Sequence, residues 1–162
     1  MDVISSDVVE EVWKEHTEKS FFDIEKEIAQ LSKEQPALLN YLTSTNAEAY
    51  NTEEQQLVLY LGVATWKMMK RGSGKMKKIT SNDIAKAKEK NLQLISYLEN
   101  ELSGDFQSIV ETVFNEYHQN NILNLLRKAI FSTDEKKTKI RSKNKGLMLF
   151  DLKTFLDCLD KE

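Results

Sequence analysis

The sequence Gly-Ser-Gly-Lys at residues 72–75 comes closest to a known chemical motif, the phosphate-binding loop. That motif needs an earlier glycine five residues before the glycine of its Gly-Lys pair, a Ser or Thr after the lysine, and a preceding strand. Here Met69 and Met76 occupy those two positions, and the preceding residues have a helical pattern. We therefore interpret the glycines as a helix stop followed by a connection, and we do not predict nucleotide binding.

The two histidines do not form a recognisable metal-binding pattern. His16 and His118 each lack a Glu three residues earlier, the spacing that carboxylate-bridged metal sites in helical bundles use. The chain also contains neither His-Glu-x-x-His nor Cys-x-x-Cys. We predict no metal and no other cofactor.

The remaining candidates for catalysis are a lone cysteine and paired acids. Cys158 lies beside Leu156 and Leu159, where a cysteine is typical of a small packing residue. The Glu-Glu pairs at residues 10–11 and 53–54 stand at predicted helix starts, where the helix dipole favours carboxylates without a catalytic role. Because no base or oxyanion-stabilising group accompanies them, we predict that the protein is not an enzyme.

Charge is sorted into blocks along the chain. Residues 1–66 hold 4 Lys or Arg against 13 Asp or Glu, whereas residues 67–90 hold 9 against 2 and residues 127–145 hold 8 against 2. Clustered positive charge raises the local potential, so segments 67–78 and 136–145 are candidates for binding nucleic acid or another acidic partner. Neither basic loop contains an aromatic residue that would stack on bases. The candidate polyanion-binding residues are Lys70, Arg71, Lys75, Lys77, Lys78, Lys137, Lys139 and Arg141.

Whether the two basic segments form one patch depends on the chain between them. A single helix over residues 105–131 would place both segments at the same end of the helical array. A reversal at Asn120–Asn121 would send them to opposite ends. Segments farther apart than about a Debye length, roughly 10 Å, would act independently.

The elements that must position these residues are predicted to be helices. One proline and five glycines leave few breaks, and apolar residues recur at intervals of three and four. We predict an all-α compact bundle or irregular array of six to seven helices around a central helix at about residues 53–71, which is apolar nearly all round. Thr52–Gln55 is predicted to cap that helix, Gly62 to allow a close helix crossing, and Gly72 to end the helix.

The N-terminal residues predict two helices and an apolar docking surface. The polar run Thr17–Ser20 interrupts the apolar stripe that begins at Val9, which favours a break or kink there. Trp13, Phe21 and Phe22 supply more apolar area than one helix face needs. We interpret them as a surface for a protein partner or for a homodimer formed through the N-terminal helices.

Shorter signals place the remaining helices. Pro36 suits the first turn of a short helix, and Thr80–Asp83 suits the start of a later one. Ser103–Asp105 caps the cleanest amphipathic stripe, which consists of Phe106, Ile109, Val110, Val113, Phe114 and Tyr117. Residues 132–145 have almost nothing apolar, which predicts a basic flexible linker. The C-terminal helix that follows is predicted to dock through Leu149, Leu152, Phe155, Leu156 and Leu159.

Length and composition predict a single domain over residues 1–162. A single cysteine, no visible secretory signal and no apolar stretch of membrane-spanning length favour a cytoplasmic protein that does not enter a membrane. The favoured function is a non-enzymatic interaction or scaffold protein, and polyanion binding through segments 67–78 and 136–145 is the first alternative. The second is a small-ligand protein or enzyme whose site forms only in three dimensions, for which the indicator would be a deep pocket lined by Trp66, Tyr60, His118 or Cys158.

Overall fold

Helices make up most of the described part of the chain. The structure is a computed structural model that describes residues 1–100, 111 and 113–160, without the side chains of residues 98–100. The helices with described ends are α1 (Ser6–Glu18), α2 (Phe21–Glu34), α3 (Pro36–Ser44), α4 (Thr52–Ser73), α5 (Ser81–Asn100), α6 (Asn120–Phe131) and α7 (Ser142–Leu159). Residues 111 and 113–116 are also helical, and no residue in the described ranges lies in a strand. The predicted all-α fold class is confirmed.

Helix α4 lies at the centre of the array, as its nearly continuous apolar surface predicts. It packs against α1, α2, α3, α6 and α7, and Val58, Leu61 and Met68 along it are fully buried. Gly62 allows the close approach of α3, because a Cβ at this position would lie 2.5 Å from Leu42 Cδ1. The close crossing predicted from this glycine is confirmed.

The N-terminal cap of α4 lies one residue earlier than predicted. Asn51 is the capping residue: its side chain accepts a hydrogen bond from the Glu54 N–H, and the Glu54 carboxylate accepts one from the Asn51 N–H. The reciprocal pattern is the predicted capping box, moved from Thr52 and Gln55 by one position. Asn is a stronger capping residue than Thr, which accounts for the choice.

The C-terminal end of α4 lies beyond Gly72, so the predicted stop at Gly72 is wrong. The helix continues through Ser73, and Gly74 is the capping residue, with a φ of 76° that glycine adopts without steric cost. Gly72 instead serves packing, since a Cβ there would collide with Ile4 Cδ1.

Three other predicted boundaries are confirmed. Helix α1 ends at Glu18 and α2 begins at Phe21, so the polar run between them is a break. Pro36 is the first residue of α3. At the start of α5, Thr80 Oγ1 accepts from the Asp83 N–H and the Asp83 carboxylate accepts from the Thr80 N–H.

Helix α7 is a second central helix and is buried more completely than its apolar stripe predicts. It packs against α3, α4, α5 and α6. The predicted stripe is buried, and the polar residues Asn144, Asp151 and Thr154 are buried on the same helix. Buried polar groups require hydrogen-bond partners, so α7 also supplies much of the polar interior.

The predicted flexible linker 132–145 is wrong for its last six residues. Helix α7 begins at Ser142, and just before it Ile140 is buried and Arg141 forms an ion pair with Glu54. The local composition predicts that these charged residues are solvated, because the partner that neutralises Arg141 lies 87 positions away in the chain.

The chain between α5 and α6 is described only in part. Helical residues 113–116 are followed by a turn at residues 117–119 before α6 begins, so no single helix runs through this point. The predicted cap at Ser103–Asp105 and the stripe residues 106, 109 and 110 lie outside the described residues. Of the helices that are described, none has the length and apolar character needed to cross a membrane.

Candidate functional site

The basic residues at the end of α4 form ion pairs with the N-terminal helices. Lys70 Nζ lies 2.7 Å from Glu34 Oε2 on α2, and an Arg71 guanidinium nitrogen lies 2.7 Å from Glu15 Oε2 on α1. All four side chains are partly exposed, so solvent screening leaves each pair only a weak contribution to stability. The pairs nevertheless neutralise part of the charge in the first candidate polyanion-binding segment.

Arg141, a candidate residue of the second basic segment, forms an ion pair with the fully buried Glu54. Its guanidinium donates to Glu54 Oε1 at 2.6 Å, and its backbone N–H donates to Glu54 Oε2 at 2.9 Å. Asn144 Nδ2 donates to Glu54 Oε1 as well. Burial would raise the pKa of the Glu54 carboxyl, but these donors and the Asn51 N–H hold that pKa at about 2. Arg141 therefore attaches the start of α7 to the start of α4.

The two basic segments lie at opposite ends of α4. Arg71 follows Glu54, the partner of Arg141, by 17 residues, and 17 residues of α-helix rise about 25 Å. This separation exceeds the Debye length of about 10 Å, so the segments do not form one patch.

Some of the candidate cations have carboxylate partners and others do not. Lys139 Nζ lies 3.9 Å from Glu53 Oε1. The candidates that are exposed and have no carboxylate within 4 Å in the described part of the chain are Lys75, Lys77, Lys78 and Lys137.

Phe21 and Phe22, in the first turn of α2, are the most exposed large apolar side chains among the described residues, at 78% and 63%. Phe21 borders an open cleft of about 520 Å³, termed the N-terminal groove. The charged residues along the groove are Lys19 and Glu53, one of each sign. Its apolar lining comes from α2, α4 and the segment before α7, and includes Ile24, Ile28, Leu57, Leu59, Tyr60 and Ile140.

Trp13 differs from the phenylalanine pair because it belongs to a packed aromatic cluster. Its ring centroid lies 6.0 Å from that of His16 and 6.1 Å from that of Tyr60. His16 is fully buried, and its Nε2 donates to the Tyr60 carbonyl at 2.9 Å, because a carbonyl can only accept. Burial, together with the nearby Lys67 ammonium, lowers the pKa of His16 to about 4. This histidine is therefore neutral near pH 7 and closed to solvent.

A buried carboxylate that is not among the predicted site residues lies where α3, the α3–α4 connection and α7 meet. Asp151 is fully buried, and its carboxylate accepts from Tyr50 Oη at 2.5 Å and from Asn46 Nδ2 at 2.9 Å. Asn46 reaches it from a left-handed conformation with a φ of 51°. Burial raises the pKa of Asp151, and these hydrogen bonds oppose the rise. The sequence does indicate that Asp151 is buried, because this residue lies on the apolar stripe of α7 between Met148 and Leu152.

The residues named for a hidden pocket do not meet in one cavity. Trp66 and Cys158 lie in the closed core, His118 is half-exposed and lies 2.8 Å from Asp160, and Tyr60 lines the N-terminal groove. In the part of the chain that the structure describes, no group of three His, Cys, Asp or Glu residues is placed to hold a metal ion.

No protein-family model, curated protein or solved structure matches this chain. The class that the described residues define is an all-α protein with two central helices and an apolar groove bordered by the exposed Phe21.

Proposed function

We propose that the protein is a non-enzymatic interaction protein that binds an amphipathic helix of a partner protein in the N-terminal groove. The observation that carries this proposal is the exposure of Phe21, which lines an apolar cleft, and of Phe22, the next residue in the chain. Burying a phenylalanine side chain fully stabilises a complex by about 1.5–3 kcal/mol relative to leaving it exposed. Two adjacent exposed phenylalanines therefore supply a large part of the free energy that a specific partner needs.

A helix is the occupant that best matches the walls of the groove. Ile24 and Ile28 are four residues apart on α2, and Leu57 and Tyr60 are three apart on α4, so the walls are two helical ridges. A helix lies between such ridges by inserting apolar residues at intervals of three and four. Because the lining holds one cation and one anion, the contacting stripe of the partner is apolar.

A second copy of the chain fits this surface less well. Phe21 and Phe22 together offer at most about 300–500 Å² of apolar area. A stable symmetric interface buries about 800 Å² on each partner. An inserted helix reaches the walls of the groove as well as the phenylalanines, which a flat contact between two copies does not.

The buried titratable groups support a non-enzymatic function. His16, Glu54 and Asp151 are each fully buried, and their hydrogen bonds join helices to one another. These roles account for the groups without any reaction. We further propose a reducing, cytoplasmic location, supported by a composition with one cysteine, which lies in the closed core.

The test uses a synthetic amphipathic peptide with a leucine stripe and a matched peptide with serines in the stripe, both titrated by fluorescence anisotropy. We expect the leucine peptide to bind and the serine peptide not to bind. Phe21→Ser with Phe22→Ser should weaken binding at least tenfold, or about 1.4 kcal/mol. Tyr97→Ser is the matched control, since Tyr97 is an aromatic residue that is 59% exposed on α5.

Equal binding of both peptides, or no effect of the double substitution, would contradict the proposal. Sedimentation velocity of the protein without peptide tests whether a second copy of the chain occupies the groove instead. We expect a monomer, and a dimer that the double substitution dissociates would assign the groove to a second copy instead.

Polyanion binding is a second proposal, and it rests on Lys75, Lys77 and Lys78. These three lysines are exposed in the connection between α4 and α5, and none has a carboxylate within 4 Å among the described residues. Such a cluster contacts phosphates without reading sequence. Salt dependence tests the proposal, because three phosphate contacts give a slope of log affinity against log salt of about −3.

A further inference from the structure

A second cavity, of about 580 Å³, lies between α5, α6, α7 and the helical residues 113–116. It is termed the α5–α7 cavity, and its volume falls within the range of about 300–1,000 Å³ that small-molecule sites occupy. Its lining is mainly apolar and includes Leu94, Phe114, Leu123, Phe131, Leu149 and Phe150. Leu123 and Leu149 are buried, whereas Phe131 is 51% exposed, so the cavity has a closed apolar end and an open aromatic edge.

Gly146 shows that the cavity has room along the surface of α7. A Cβ at this position would have no other heavy atom within 4 Å. A glycine inside a helix destabilises the helix relative to alanine. At Gly146 no helix crossing or left-handed backbone accounts for that cost, which distinguishes it from Gly62 and Gly74.

The charged residues that line the α5–α7 cavity are all cations: Arg127, Lys128 and Lys153. Lys153 Nζ lies 2.9 Å from Asp157 Oδ2 and is already paired. The Arg127 guanidinium lies 5.2 Å from the centroid of the Phe114 ring, a cation–π contact that orients it. Within the described ranges, neither Arg127 nor Lys128 has a carboxylate within 4 Å, in contrast to Lys67, Lys70, Arg71 and Arg141.

We propose that the α5–α7 cavity binds a free single-chain fatty carboxylate, at a site separate from the N-terminal groove. The alkyl chain packs toward Leu123 and Leu149, and the carboxylate lies at Arg127 and Lys128. An apolar interior with two cations that have no carboxylate partner among the described residues complements an aliphatic chain that ends in one negative charge. Arginine suits this role because its planar donors can bind both oxygens of a carboxylate.

Isothermal titration calorimetry with dodecanoate below its micelle-forming concentration tests the proposal. We expect one molecule bound per chain, and affinity that falls about fourfold for each methylene removed from the ligand. Dodecanol, which has the same chain without the charge, should bind at least tenfold more weakly. No binding, several molecules per chain, or equal binding of the alcohol would overturn the proposal.

Two variants locate the binding. Gly146→Leu places a side chain in the cavity and should abolish binding, with circular dichroism confirming that the helices are intact. If that variant does not fold, the double variant Arg127→Gln with Lys128→Gln provides the test. It should weaken dodecanoate binding at least tenfold and leave the affinity for dodecanol unchanged. The matched control is Lys14→Gln with Lys33→Gln, which removes two exposed charges on α1 and α2, away from the cavity, and should change neither affinity.

Dodecanoate binding that both cavity variants leave unchanged would overturn the proposal. So would a wild-type protein that binds vesicles of anionic phospholipid but not monomeric dodecanoate, since this would assign the same chemistry to a membrane surface.

Discussion

Replacing Glu54 by Gln removes the charge that joins the start of α4 to the start of α7, while preserving the size of the side chain. The pKa of Glu54 is about 2 in the folded protein, against an ordinary value of 4.5. At about 1.4 kcal/mol per pH unit, this difference corresponds to about 3 kcal/mol. Because the Arg141 side chain is 33% exposed, solvent screening reduces the expected loss to about 2 kcal/mol.

The pH dependence of this loss distinguishes a lost charge from a packing defect. Since the pKa is lower in the folded state than in the unfolded state, the stabilisation is complete above about pH 4.5 and is lost as the pH falls toward 2. At about pH 3, less than half of it remains. Glu54→Gln should therefore cost about 2 kcal/mol at pH 7 and less than half as much at pH 3.

Urea unfolding at both pH values measures the effect, with Glu53→Gln as the matched control. Glu53 is the neighbouring residue, it is 44% exposed, and it lies 3.9 Å from Lys139, so its replacement should change the free energy of unfolding by less than about 0.5 kcal/mol. An equal loss for Glu54→Gln at the two pH values, or an equally large effect of Glu53→Gln, would refute the reasoning.

Three further outcomes are expected. Unfolded His16 binds a proton near its ordinary pKa of 6.5, whereas the buried side chain does so only near 4, so the free energy of unfolding should fall by about 2 kcal/mol between about pH 7.5 and 5. His16→Gln should flatten that slope in urea titrations, and an unchanged slope would contradict the assignment. Gly62→Ala forces a Cβ against Leu42 and should lower the free energy of unfolding by about 1–3 kcal/mol. Gly146→Ala meets open space and should raise the free energy of unfolding by up to about 1 kcal/mol. Thermal unfolding measures both, and effects of the same sign would contradict the packing described. In titrations of duplex DNA, log affinity against log salt should have a slope no steeper than about −3, as expected for residues 75–78 acting alone, and a slope near −6 would show that both basic segments bind together.

The sequence was most informative where the residues of a single helix were enough to predict how that helix packs. Helix α4 is apolar nearly all round and therefore had to be central, and Gly62 marked its close crossing. The polar run before Phe21 marked a real break. The exposure of Phe21 and Phe22 was foreseeable for the same reason, because one short helix cannot bury apolar residues on every face.

The features that were missed depend on partners far apart in the chain. Arg141 was counted as a solvated cation, yet Glu54 neutralises it across 87 positions. Asp151 carries no local signal of its donors, since Tyr41 lies on α3 and Asn46 and Tyr50 lie in the connection between α3 and α4. The α5–α7 cavity likewise draws its walls from three helices and residues 113–114, so no single stretch of sequence reveals it.

Mapping the leucine-stripe peptide by amide NMR spectra tests the proposed N-terminal groove most directly. We expect that, as the peptide saturates the protein, chemical-shift changes concentrate at Phe21, Ile24, Ile28 and Leu57. Changes confined to residues 75–78 or to the α5–α7 cavity, or no changes at saturating peptide, would contradict it.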